Sequence, residues 1–204
     1  MGWAWDWRIG GYRDQDTGQK LPVEDVRKWT AKLISESQTA TTDLAKMVAD
    51  ETLNVADWEA QFRKEIKQQY IDQYIAGVGG RERMTQADWG SVGGMLNNQY
   101  HPYLDDFRRE ITMGNLSEAQ IKARMDMYLD SAKQAYEKAN GRSQKKAGMN
   151  EERWVLNPEL ENCDDCFELA NMGWVPIPEI SKEHIPGDSG TACRTNCGCR
   201  FDYR

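Results

Sequence analysis

All five cysteines of this chain lie in its last 42 residues, as Cys163-Asp-Asp-Cys166 and then Cys193-Arg-Thr-Asn-Cys197-Gly-Cys199. Two close groups of thiols, separated by 26 residues, are the arrangement from which a tetrahedral metal site is built, because each tight turn supplies two sulfurs to one ion. This spacing constrains the C-terminal fold more than any other feature: the chain must turn back so that Cys193 to Cys199 meets Cys163 and Cys166. Structural zinc held by four of the five is the expected cofactor. Cys163 and Cys166 form the first pair, and Cys193 and Cys197 the better-spaced second pair. Cys199 is either a spare thiol or the true fourth ligand in place of Cys193 or Cys197. Disulfides, a redox Cys-x-x-Cys and a set of unmetallated buried thiols are the alternatives. The odd count and the lack of a recognisable export signal weigh against disulfides, and the mostly helical sequence upstream weighs against a thioredoxin-like motif.

A segment this small needs such a clamp. From residue 151 onward there are 54 residues, too few to bury a large core, and an ion binding with on the order of 10 kcal/mol would supply the deficit. The segment reads as a small α+β module. Trp154-Val-Leu is a short strand, Phe167 to Ala170 a helical turn stopped by Gly173, Trp174 to Pro178 is extended, Pro186 to Gly190 a turn, and Arg200 to Arg204 a closing strand. Acids outnumber bases 11 to 5 in this segment, whereas the first 150 residues carry 22 against 21, so nearly all of the net charge of −7 belongs to the cysteine end. A four-thiolate zinc centre adds a formal charge of −2, so phosphate binding through the module is disfavoured and nucleic acid is not an expected partner beyond weak non-specific contact.

Residues 22–140 predict a helical body of about five helices, making the chain mainly α. The first helix runs from Pro22 to about Asp50. The second opens at Asn54, carries Trp58, Phe62, Ile66, Tyr70 and Tyr74 at i, i+4 steps along one face, and ends at Gly77, Gly79 and Gly80. Thr85 with Asp88 caps a third, whose Gly90, Gly93 and Gly94 suggest close packing against a neighbour. His101-Pro102 interrupts it before a fourth helix over Tyr103 to Met113. Ser117 with Gln120 opens a fifth that continues through Tyr136. The apolar stripes read as core. An offset of 63 residues aligns Trp58, Phe62 and Ile66 with Ile121, Met125 and Leu129, a match that any two capped amphipathic helices produce. Residues 141–150 read as a polar basic linker, and residues 1–21 as an arm with Trp3, Trp5 and Trp7, too short for its own sheet, which either adds a strand to a partner or folds back on the body. There is no apolar run long enough to cross a bilayer, so a soluble protein is expected. HExxH, GxSxG and Gly-rich phosphate-loop motifs are missing, and His101 and His184 both fall in loops, so no catalytic residues are assigned.

The ending Asn162-Cys-Asp-Asp-Cys166-Phe-Glu-Leu-Ala, Gly173-Trp-Val-Pro176, Gly187-Asp-Ser and Cys193-Arg-Thr-Asn-Cys197-Gly-Cys199-Arg-Phe-Asp-Tyr-Arg resembles that of tailed-bacteriophage minor head proteins, the head morphogenesis proteins of the Mu F-like type. Tyr12 to Gly18 and Thr85 to Gly90 are similar to stretches of small phage structural proteins. The resemblance implies a non-enzymatic virion component in small copy number, assembled in the host bacterial cytoplasm, whose partners are portal, capsid or neck proteins. Many members of that family end in His-x-x-Cys-x-Cys; here Cys193 precedes Cys197 and no histidine is present, so ligand identity does not carry over. A head-tail adaptor and a metal-dependent nuclease or hydrolase are the alternative functions.

Overall fold

The computed structural model describes residues 3–6, 8, 9 and 11–204. Its elements are β1 (Trp3–Asp6), β2 (Gly11–Asp14), α1 (Val23–Ala40), α2 (Thr42–Ala49), α3 (Val55–Val78), α4 (Gln86–Asn98), α5 (Asp105–Thr112), α6 (Glu118–Asp130), α7 (Lys133–Lys146), β3 (Glu151–Val155), α8 (Asp164–Asn171), β4 (Val175–Pro176) and β5 (Arg200–Tyr203). The protein is mainly helical, with a small antiparallel sheet in the cysteine-bearing segment.

The centre of the body is α3. Its i, i+4 stripe of Trp58, Phe62, Ile66, Tyr70 and Tyr74 is fully buried. Trp58 meets Phe107 of α5 edge-on at 5.3 Å, and Phe62 meets Tyr128 of α6 at 5.8 Å, so one aromatic stripe holds three helices. Burying polar residues on such a helix is costly unless each finds a partner. Gln69 and Gln73 donate to the Leu33 and Thr30 carbonyls of α1, at 2.6 and 2.8 Å.

Two of the five expected helical runs are interrupted, and by the same device. Thr41 is buried and its hydroxyl donates to the Ser37 and Gln38 carbonyls, ending α1. Ser131 is buried, donates to the Tyr128 carbonyl at 2.7 Å and is paired with the Tyr70 hydroxyl at 2.8 Å, separating α6 from α7. Back-bonding of this kind offers the backbone an alternative to the regular ladder. His101 leaves the helical region (φ −123°, ψ 117°), as a residue before proline does, and marks the bend between α4 and α5.

Several expectations are corrected. Residues 141–146 are not a linker but the last turns of α7, which continues to Lys146. Gly141 belongs to the packing, since a Cβ there would lie 2.9 Å from the Tyr203 hydroxyl of β5. Gly90, Gly93 and Gly94 have no neighbouring atom within 4 Å of a Cβ position, so close packing does not account for them, and nothing in the structure explains them. The close approach is at Gly77, which lies inside α3; Gly79, at φ +91°, ends that helix. The N-terminal segment is not too short for a sheet of its own: β1 pairs with β2 from Trp3 opposite Asp14 to Asp6 opposite Gly11. Trp7 lies outside the described residues. Among those described, no helix is long and apolar enough to cross a membrane.

Candidate metal centre

The module is built around β3, which pairs with β4 on one side and β5 on the other. Trp154 stands opposite Phe201 in the register, and their rings meet edge-on at 5.3 Å. With Cys166, Leu169, Ile180, Cys197 and Cys199 they form a small separate core. Glu152 is buried beneath the sheet and its Oε1 accepts from the amides of Ile180 and Ser181, both at 2.8 Å. This carboxylate ties the long loop after β4 to the strand that carries Trp154.

Cys163 is the residue preceding α8 and Cys166 lies in the first turn, so helix geometry alone brings the first two sulfurs to 3.5 Å. Asp165, between them, accepts from the Ala192 amide at 2.7 Å and pins the second cysteine loop to α8. That loop then makes a tight turn over Arg194–Asn196 with Arg194 in the left-handed region (φ +48°). Its sulfurs are delivered to the first pair: Cys193 lies 3.5 Å from both Cys163 and Cys166, and Cys197 3.8 Å from Cys166.

All five predicted ligand residues therefore converge. They do so as two triads that share Cys166, one with Cys163 and Cys193 and one with Cys197 and Cys199, each having its sulfurs within 4.8 Å of one another. All five thiols are free, so the disulfide alternative is not the arrangement seen. An ion with metal–sulfur bonds of about 2.3 Å holds tetrahedral sulfurs about 3.8 Å apart. These four separations of 3.5 to 3.8 Å match that edge length to within a few tenths of an ångström, although among the described residues no four sulfurs all lie within 4.8 Å of one another. The donor set is soft, which suits zinc and other thiophilic ions over magnesium or calcium.

The protonation of the metal-free cluster is uneven. Burial pushes the Cys166 thiol up, and its sulfur neighbours add to the effect. Cys197 is pushed up first by its hydrogen bond with Cys199 and then by burial, while the same bond holds Cys199 down. At Cys163 burial is outweighed by the amides of Cys166 and Cys193, which favour the thiolate. An ion must displace the protons that remain, so its binding releases acid.

Three groups outside the sequence prediction complete the surroundings. Thr191 Oγ1 lies 3.3 Å from Cys193 Sγ, Asn162 Oδ1 accepts from Cys199 Sγ at 3.3 Å, and Lys133 of the helical body donates to the Thr195 carbonyl between Cys193 and Cys197. Asn162 sits beside its cysteine in sequence; Lys133 is 62 residues from its acceptor, and no local pattern marks it. A cleft of about 730 Å³ runs between α1, α7 and the module, and Lys133, Cys197 and Cys199 are in its wall. Compared with protein families, curated proteins and solved structures, the chain matches none.

Proposed function

We propose that this chain is a non-enzymatic structural or assembly protein of a tailed-bacteriophage particle, a minor head or head morphogenesis protein that acts by packing against portal or capsid proteins, with a zinc ion clamping its C-terminal module. The observation that carries the reading is the convergence of sulfurs from Cys163-x-x-Cys166 and from the Cys193–Cys199 loop. Cys163, Cys166, Cys193 and Cys197 are the proposed ligands: the first three form an equilateral 3.5 Å triangle, the shape of one face of a tetrahedron, and Cys197 lies 3.8 Å from Cys166 in the second triad and would have to close on the other two as the ion enters. A saturated thiolate site has no position for a reacting water, which makes the ion architectural. The virion assignment draws on the resemblance of the cysteine ending, and its location would be the particle, reached from the host cytoplasm.

Mass spectrometry of purified particles tests the virion assignment, with the chain expected as a low-copy component; its presence in infected lysate but not in particles would overturn it. Microscopy of those particles separates a head-interior position from a neck adaptor. A metal-dependent hydrolase is the second reading, favoured by the cleft that reaches Cys197 and Cys199. It requires an exchangeable water on the ion, and X-ray absorption showing four sulfurs alone removes it.

A further inference from the structure

Filling a four-thiol site changes the charge of the module. Four thiolates around one divalent ion carry a formal charge of −2, whatever protons the sulfurs held before the ion entered. The module itself is poorly equipped to balance this, with 11 acids against 5 bases and both Asp164 and Asp165 in the first turn of α8. Of its own cations close to the body, Arg200 is engaged with Glu24 and Asp202, each at 3.5 Å. Arg27, reaching in from α1, is engaged with Glu137 and with the Phe201 carbonyl.

Among the described residues, Lys133 is a cation that reaches the cluster from the helical body without an ion pair to a carboxylate there. Lys133 is the first residue of α7, and its Nζ donates to the uncharged Thr195 carbonyl, in the turn between Cys193 and Cys197. Its stem is enclosed as well: a Cβ on Gly187 would lie 2.5 Å from Lys133 Cγ and Cε, so the loop before the second cysteine group arches directly over it. Gly187 has φ +91°, a conformation that glycine adopts freely, and this permits the arch. An opposite charge nearby is Asp130, the last residue of α6, which accepts from Gln38 Nε2 at 3.0 Å.

We propose that Lys133 is the charge-compensating residue of the metal site, making ion uptake by the module and docking of the module on the helical body a single coupled equilibrium. The inference rests on the reading that the cysteine cluster holds an ion. Because coupling is reciprocal, whatever affinity the docked lysine adds to ion binding, the bound ion returns to docking.

The test uses the full chain and two substitutions three residues apart, at the end of α6 and the start of α7. Lys133→Met removes the charge and keeps a long stem beneath Gly187, whereas Asp130→Asn removes the opposing charge. Zinc affinity is read by competition with a chromophoric chelator, and docking by hydrogen exchange at β5 and the start of α7, with and without zinc. The expected result is a wild type binding one zinc per chain, K133M weakened about tenfold with its zinc-dependent protection at β5 lost, and D130N no weaker than wild type. K133M with wild-type affinity overturns the proposal, and so does an equal loss in both variants, which would mark disturbed packing instead of charge. A wild-type chain that takes up no zinc overturns the metal reading itself and this proposal with it.

Discussion

Gly77 of α3 lies so close to Tyr136 of α7 that a Cβ at position 77 would sit 2.5 Å from the Tyr136 carbonyl oxygen and 2.6 Å from the Ala139 methyl. Neither obstacle is the end of a flexible side chain, so the two helices would have to part. Gly77→Ala is expected to lower unfolding free energy by roughly 1–3 kcal/mol, read as a reduced denaturant midpoint. Gly93→Ala on open α4 is the counterpart and should raise it by about 0.5–1 kcal/mol. Equal behaviour of the two variants would contradict the close crossing.

Removing the proposed ion should act on one part of the molecule. The module core contains few large side chains besides Trp154, Leu169, Ile180 and Phe201, whereas α3 sits in a core of its own. After chelation, amides of β3, β5 and α8 are expected to exchange freely while those of α3 stay protected, and Cys166→Ser should reproduce this because Cys166 belongs to both sulfur triads. Loss of an ion worth on the order of 10 kcal/mol exceeds what so small a core can replace. Full protection of β5 in the chelated chain would sink the idea of a metal clamp.

Glu152 offers a test that leaves the sulfurs untouched. Its carboxylate satisfies the Ile180 and Ser181 amides at 2.8 Å from a fully buried position. Glu152→Ala leaves both donors unmatched and should cost roughly 2–4 kcal/mol, seen as lower thermal stability of the metal-loaded module. Glu152→Gln keeps one acceptor and the shape, and should cost less. An alanine variant as stable as wild type would show that the loop after β4 is held by other contacts.

Acid should expose the role of Asp88. Burial opposes its charge, but hydrogen bonds from Thr85 and Tyr74, with Arg142 beside it, outweigh burial and hold its carboxyl below the usual value. A lowered folded-state value means that the unfolded chain takes up the proton first. The contribution is therefore complete above the unfolded value of about 3.9 and is lost as pH falls through the lower folded one. Wild type minus Asp88→Asn, followed by denaturant titration, should give a stability difference that is constant above about pH 5 and shrinks below pH 4. A difference independent of pH would rule out a charged Asp88 as the anchor.

The parts of this fold that were legible in sequence are those set by local rules. The α3 stripe, the boxes at Thr85/Asp88 and Ser117/Gln120, the closing strand and the meeting of the five cysteines all follow from spacing and capping chemistry. What was missed depends on contacts distant in sequence. Thr41 and Ser131 interrupt helices because they are buried with hydroxyls turned onto their own backbone, and helical periodicity does not register that. The polar run from Gly141 to Lys146 has the composition of a linker, but Arg142 is drawn to Asp88 of α4 and Gly141 to Tyr203 of β5, which stabilise it as helix. Glycines gave the wrong location for the tight crossing because a glycine's role is decided by what faces it. Lys133 carried no motif at all.

The sharing of Cys166 between the two sulfur triads has a consequence for biosynthesis. Cys163 and Cys166 leave the ribosome ahead of Cys193, so the emerging chain exposes a two-sulfur half-site before the 26 residues between have followed it out. An ion captured at that stage has its remaining positions filled by water or small thiols, and the arriving loop must displace them. If the proposed ion is taken up at that point, the order of translation would make the first pair a landing place and the second group the closure.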